Sequence, residues 1–247
     1  EILPRLPLPA LRCFGVVEDE SPEFCWLFLE DAGQELFSFS SLAHAAAAAR
    51  WMAILHTATA RFEANRRLPA RGPDYYWSQL ELARNNLRGG LGNRALQAEG
   101  AAVVEAILTQ CDWLESRWET VAAFCRDVPE TLVHGDLKEN NLRVRDRCGQ
   151  IDVRVFDWEI AGWGTPATDL LKCPDFARYW LEARAHWPAL DSANLQRLAQ
   201  VGMLFRSLLA ISWESLDLGG DWVQWPVGKL RHYSVRLIEA CRTLGLT

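Results

Sequence analysis

Lysine is nearly missing from this chain: its 247 residues hold only Lys138, Lys172 and Lys229, against 32 acidic residues and a net charge of -6. That balance argues against nucleic-acid binding, which draws on a basic stripe, and leaves room for a cationic substrate. Long apolar runs are absent too. None approaches the ~20 residues that span a bilayer, and no charged-then-apolar leader opens the chain, so a cytoplasmic protein without membrane contact is expected. The seven cysteines include no CxxC pair, and an odd number without that spacing points to reduced thiols rather than a disulfide framework. Zinc is disfavoured because the five histidines are scattered and none pairs with a cysteine at ligand spacing. There is no internal repeat, and the alanine run between Ala43 and Ala49 is the sole low-complexity segment.

A hydrophobic content of 49% allows a core for one large domain or two unequal lobes. Up to about Gly33 the pattern reads as two strands, Ala10 to Val17 and Phe24 to Leu29, with the turn-prone EDESPE between them. Beyond Gly33 the pattern is mostly helical. Ser40 or Ser41 can cap a helix whose apolar positions include Met52, Leu55 and Phe62. Further helices are expected over Tyr76 to Leu87, Ala95 to Cys125, Asp169 to Ala185, Ser192 to Leu216 and Val227 to Leu244. Gly89-Gly90-Leu91-Gly92 reads as a connector, because phosphate-cradling loops follow a strand and open a helix, whereas this one joins two helices.

Only one hairpin is expected to interrupt the helices. Leu142 and Val144 alternate with Arg143 and Arg145, Asp146 to Gln150 supplies turn residues, and Ile151, Val153 and Val155 alternate with Asp152 and Arg154. With Gly149 in the turn, Asn141 and Asp157 lie equally far along the two arms and come close together. An amide oxygen beside a carboxylate suits a hard cation. Asp136, on a tight loop after the apolar Thr131, Leu132 and Val133, can face the same cavity. One carboxylate that orients a hydroxyl proton, next to an Asn and Asp pair for magnesium, is the arrangement used in phosphoryl transfer. Such chemistry depends on positioning and charge neutralisation.

His134, Gly135, Asp136 and Asn141 in HGDxxxxN, Asp157 and Glu159 in DWE, and Gly162, Pro166 and Asp169 downstream resemble the aminoglycoside phosphotransferase and choline kinase-like family. Leu27 to Gly33 resembles the interlobe hinge of that family, and Leu55-His56 an LH pair on its first large helix. The resemblance spans nearly the whole chain and implies an α+β, protein-kinase-like bilobal fold. Residues 1–33 would be a remnant of an incomplete β small lobe with the hinge, and residues 34–247 a helical catalytic and acceptor-binding lobe with the catalytic hairpin.

By the same resemblance, Asp136 is the base or hydroxyl orienter, Asn141 and Asp157 are magnesium ligands, and Glu159 neighbours the metal or substrate. Lys138 stands where protein kinases keep a lysine near the transferred phosphate. Glu30 and Ala32 would offer backbone carbonyl and amide to adenine. His134 is expected to brace the loop, His56 to be a hydrogen-bonded core residue, and Asp169 to tie the catalytic loop down through backbone amides. The complete fold also needs a glycine-rich strand pair and a lysine strand, and no lysine precedes the catalytic loop. Glu1-Ile2-Leu3 reads as the tail of a helix before the fourth strand, so the front of the small lobe is expected upstream of Glu1.

The implied activity is ATP- and magnesium-dependent phosphorylation of a small-molecule hydroxyl, with aminoglycoside, choline-like, sugar and amino-acid-like acceptors all open. The competing reading is a pseudokinase or binding module without a competent nucleotide clamp. A protein kinase is disfavoured because DWE replaces DFG and no APE-ending segment follows. Trp213, Trp222 and Trp225, interleaved with Glu214, Asp217 and Asp221, would suit a cage for a cationic or sugar-like acceptor, although helix packing explains Trp213 equally well.

Overall fold

A computed structural model of the chain describes residues 2–18, 25–62 and 68–246. Near its start, β1 (Cys13–Glu18) and β2 (Cys25–Leu29) pair antiparallel as a two-stranded ribbon with an irregularity between Cys13 and Gly15. The expected turn from Asp19 to Glu23, and Phe24, lie outside the described residues. Ser41, not Ser40, caps α1 (Leu42–Thr59), its hydroxyl accepting the His44 N–H at 3.4 Å. Ala45, Ala48, Ala49 and Ala53 of this helix are buried, and their small side chains allow close approach to its neighbours.

After β3 (Ala70–Arg71), α2 (Pro73–Gly90) starts three residues before the expected Tyr76, because Pro73 occupies its first turn, where a missing N–H costs nothing. The single helix expected over Ala95 to Cys125 is two, α3 (Ala98–Glu115) and α4 (Trp118–Ala123). Arg117 leaves helical geometry between them, at φ -119° and ψ 7°. Its guanidinium donates to the Leu246 carbonyl at 3.1 Å and lies 4.3 Å over the Trp113 ring. The break turns Trp118 inward against Trp77 and Phe205.

Three short strands follow a logic that alternation does not reveal. β4 (Thr131–Val133) and β3 flank β7 (Gly162–Gly164), antiparallel and parallel respectively. The helical region is therefore interrupted by this small sheet as well as by the hairpin β5 (Leu142–Arg147) and β6 (Gln150–Val155). Strands of two or three residues carry no readable period. The stretch expected as one helix from Asp169 to Ala185 splits into α5 (Ala167–Leu170) and α6 (Phe176–Ala183). Pro174 disfavours helical geometry in the residue before it, and the Asp175 carboxylate restarts the helix by accepting the Arg178 N–H at 2.9 Å.

α7 (Ser192–Leu216) matches its expected bounds, with Asp191 capping the Asn194 N–H at 2.6 Å, and α8 (Gln224–Thr243) begins three residues earlier than expected. α7 packs on α2, α5, α6 and α8 and forms the centre of the core. Tyr76 from α2 stacks on Phe205 from α7 at 4.1 Å, and each fully buried aromatic or leucine of this kind contributes roughly 1.5–3 kcal/mol. No helix among the described residues is long and apolar enough to cross a membrane.

Candidate active site

The site is built on a carboxylate with no access to water. Asp169, in α5, accepts the His134 N–H at 2.8 Å on one oxygen and the Gly135 N–H at 2.7 Å on the other. Its first oxygen also lies 3.2 Å from His56 Nε2, and His56 Nδ1 lies 2.9 Å from the Tyr179 hydroxyl. Burial raises the Tyr179 pKa well above its ordinary value, so the hydroxyl stays protonated and donates to Nδ1. His56 then carries its proton on Nε2 and donates to Asp169. Burial acts to raise the Asp169 pKa, but the hydrogen bonds from His56 and the His134 backbone, with the two imidazoles alongside, prevail and leave it below its ordinary value. Asp169 thus ties the loop down through backbone amides, as expected, and His56 is a core residue whose partner is the loop's anchor.

Gly135 sits at φ +82°, and a Cβ there would lie 3.2 Å from the Ile160 carbonyl, so the loop and the DWE segment run directly against each other. The His134 ring joins them. Its Nδ1 accepts the Asp136 N–H at 3.2 Å, which leaves the proton on Nε2 to donate to the Phe156 carbonyl at 2.9 Å. One imidazole therefore fixes the backbone of Asp136 relative to that of the residue before Asp157.

Asn141 is buried at the end of a 3-10 turn, Glu139–Asn141, and its amide N–H donates to the Asp136 carbonyl at 3.1 Å, leaving the amide oxygen free to accept. The hairpin register pairs Leu142 with Val155, one residue out from the symmetry expected about Gly149, because the turn is centred between Cys148 and Gly149. Phe156, not Asp157, lies opposite Asn141, donating its N–H to the Asn141 carbonyl at 3.1 Å. Asp157 follows with φ at 66°, a left-handed geometry costing about 1–2 kcal/mol that bends the chain away from the strand. Asp157 and Glu159 are both exposed.

The Asp136 carboxylate, partly buried, meets two cations from different directions. Lys138 Nζ lies 2.5 Å from Oδ2, and Arg206 Nη2, from α7, lies 3.6 Å from Oδ1. Arg206 in turn sits 5.4 Å over the Trp213 ring. Glu214 is half-buried one residue further, Asp217 is exposed at the end of α7, and Trp222 is 85% exposed. Trp225 takes the chain's own Lys229 at 5.0 Å. The Trp213 and Trp225 faces are thus turned to internal cations, and the only one of the three tryptophans linked to Asp136 is Trp213, through Arg206.

Glu30 and Ala32 leave β2 beside the hairpin. The Glu30 carboxylate accepts the Arg12 N–H at 3.2 Å and faces Arg145 at 3.1 Å and Arg154 at 3.8 Å. The Arg12 hydrogen bond, then the two guanidiniums, lower its pKa despite some desolvation. Arg145 also donates to the Asp31 carbonyl, and Arg154 to that of Ala10 at 2.9 Å. Alternation in the hairpin thus does not give a solvent face, since Asp152 and Arg154 are buried. Burial pushes the Cys111, Cys125 and Cys173 thiols up to about 12, so they stay protonated and unreactive. Sequence reasoning missed Arg206; the available signal was an arginine interrupting the apolar run Leu204, Phe205, Leu208 and Leu209.

Solved structures share this architecture. A choline kinase from Cryptosporidium parvum Iowa II matches with a TM-score of 0.60 at 15% identity, covering 95% of this chain and 75% of its own. An ethanolamine kinase from Plasmodium vivax gives 0.60 at 15%, covering 94% and 67%. A microcompartment-associated aminopropanol kinase gives 0.60 at 15%, covering 98% and 77%. At these identities the likeness is one of fold, a mixed helix-and-strand, protein-kinase-like architecture. Within that class the chain belongs to the phosphotransferase enzyme family (APH), which matches residues 2–203. Family membership places the chain among phosphotransferases, and the three solved neighbours are themselves choline, ethanolamine and aminopropanol kinases. No curated protein matches the chain.

Proposed function

We propose that this protein transfers the γ-phosphate of ATP, with magnesium, to a hydroxyl of a small molecule. The observation that carries this reading is the setting of Asp136: a half-buried carboxylate on a loop braced by Asp169 and His134, with Asn141 folded back onto its carbonyl at 3.1 Å. In the proposed reaction, Asp136 aligns the acceptor hydroxyl and takes its proton as the new O–P bond forms and the bond to the ADP oxygen breaks. In a loose transition state the proton leaves late, so orientation matters more than basicity.

Lys138, within reach of Asp136, would swing to the transferred phosphate, and Glu30 and Ala32 would meet the adenine edge with backbone carbonyl and amide. Asn141 and Asp157 would hold the magnesium ion. The first offers a free amide oxygen and the second an exposed carboxylate in a strained backbone. No group of three or more His, Cys, Asp or Glu side chains suited to a metal exists among the described residues, so such an ion would complete its shell with phosphate and water oxygens. When bound, the ion supplies charge neutralisation on the phosphates. Glu159 lies close enough in sequence to Asp157 to face the same ion or the acceptor.

The test is ADP release from ATP and magnesium against a panel of hydroxyl acceptors. Asp136→Ala is expected to bind nucleotide like the wild type and to lose turnover by roughly 10²–10⁴-fold. Asp157→Ala is expected to lose magnesium-dependent nucleotide binding as well. An Asp136→Ala variant that keeps most of its product formation would overturn the role of that residue. Nucleotide binding with no turnover of any acceptor would favour the binding-module reading.

A further inference from the structure

Arg206 is an outlier in its helix. It projects from α7, the most deeply packed helix of the core, and its guanidinium comes within 3.6 Å of Asp136 without hydrogen-bonding to it. Nη1 is buried and finds no acceptor among the described residues. The face of Trp213 supports the group from one side at 5.4 Å. A guanidinium presents five donors in a rigid fork, and a buried donor without an acceptor is destabilising. Neutralising Asp136 does not explain the arrangement, because Lys138 already makes a 2.5 Å contact with the other oxygen of that carboxylate.

The two oxygens of Asp136 therefore face two different cations. Lys138 belongs to the catalytic loop and sits on the Oδ2 side. Arg206 comes from the helical body, where α7 packs on α2, α5, α6 and α8. Building on the kinase reading above, we propose that Arg206 is a specificity-determining residue that holds an anionic group of the acceptor, chemically a carboxylate or phosphate carried a few bonds from the hydroxyl that Asp136 aligns. A carboxylate or phosphate matches the fork with two parallel N–H···O bonds, and the Trp213 face supports the guanidinium from one side. The reach is short. With 3.6 Å between guanidinium and carboxylate, hydroxyl and anion must belong to one compact molecule, such as a hydroxy acid, a hydroxy amino acid or a small sugar phosphate. Choline-like and aminoglycoside acceptors would instead bring a second cation against Arg206.

The test measures ADP release by the full chain with ATP and magnesium against four sets of acceptors: hydroxy carboxylates with their neutral amides, sugar phosphates with their parent sugars, amino alcohols, and aminoglycosides. The expected result is turnover of an anionic compound at least about tenfold more efficient than of its neutral partner, and the first two sets tell carboxylate from phosphate. Arg206→Gln is expected to raise KM for that acceptor by about ten- to hundredfold, with Arg206→Lys recovering only part of the loss and the affinity for ADP with magnesium unchanged in both.

The proposal is overturned by preferred turnover of amino alcohols or aminoglycosides, or by equal turnover of charged and neutral partners. It is also overturned if Arg206→Gln weakens ADP binding or lowers kcat without changing KM, either of which would assign the arginine to the transferred phosphate. Absence of ADP release with every acceptor would count against the kinase reading alone. In that case, calorimetric titration of the hydroxy acids and sugar phosphates into the wild type and Arg206→Gln decides the clamp. Binding lost in the variant supports it, and no binding to the wild type sinks it.

Discussion

Asp169 concentrates more of the site's stability than any residue that would touch substrate. Its carboxylate accepts two backbone N–H groups and faces His56, so Asp169→Asn sets an amide NH₂ against one of those donors. Breaking a buried charged network of this kind is expected to cost about 3–5 kcal/mol, read as a lowered urea midpoint. Because the folded pKa is depressed, the stability it contributes is fully present above the unfolded carboxylate value of about 3.9 and is lost as pH falls through the lower folded value. The wild-type midpoint should therefore drop through that acid window, and the drop attributable to this group should vanish in Asp169→Asn. At this scale motif spacing singles out Asp136, Asn141, Asp157 and Asp169, and of these expectations the structure bears out the anchoring of the loop by Asp169. The Glu30 clamp could not. Arg145 and Arg154 lie 115 and 124 residues beyond it, and nothing local announces the pairing.

Among the elements, the hairpin shows what alternation can and cannot fix. Its strands were readable from period two, but its register depends on the turn, where Cys148 at φ 56° and Gly149 at φ 86° form a two-residue link. Gly149→Ala places a side chain in left-handed geometry and is expected to cost about 1–2 kcal/mol, visible as a lower melting temperature. No atom would clash with the added methyl, so the penalty is one of backbone conformation alone. α7 was legible to its end residues because an Asp cap and a long apolar period agree. The breaks at Arg117 and at Pro174 were not, although for different reasons. Pro174 carried a local signal that the helical pattern overshadowed, whereas Arg117 leaves the helix to reach Leu246, a partner 129 residues away.

Across the whole molecule, apolar surface is unevenly spread. The helical body has a continuous buried core and scattered exposed residues such as Leu42, Trp222 and Trp225, while the β1–β2 ribbon leaves Phe14 63% and Trp26 64% exposed, with Val16, Leu27 and Phe28 beside them. Exposed apolar patches of this kind promote association. Phe14→Lys combined with Trp26→Lys is expected to reduce concentration-dependent light scattering of this chain while leaving the unfolding free energy from urea titration within about 0.5 kcal/mol of the wild type. The ribbon is joined to the hairpin by charge rather than by packing, since Glu30 at its end lies between Arg145 and Arg154. That junction behaves like a latch whose grip depends on the surrounding electrolyte. Potassium or sodium at high concentration is expected to loosen its partly exposed Glu30–Arg145 half without touching the apolar interior, while the guanidinium bonds to the Asp31 and Ala10 carbonyls persist.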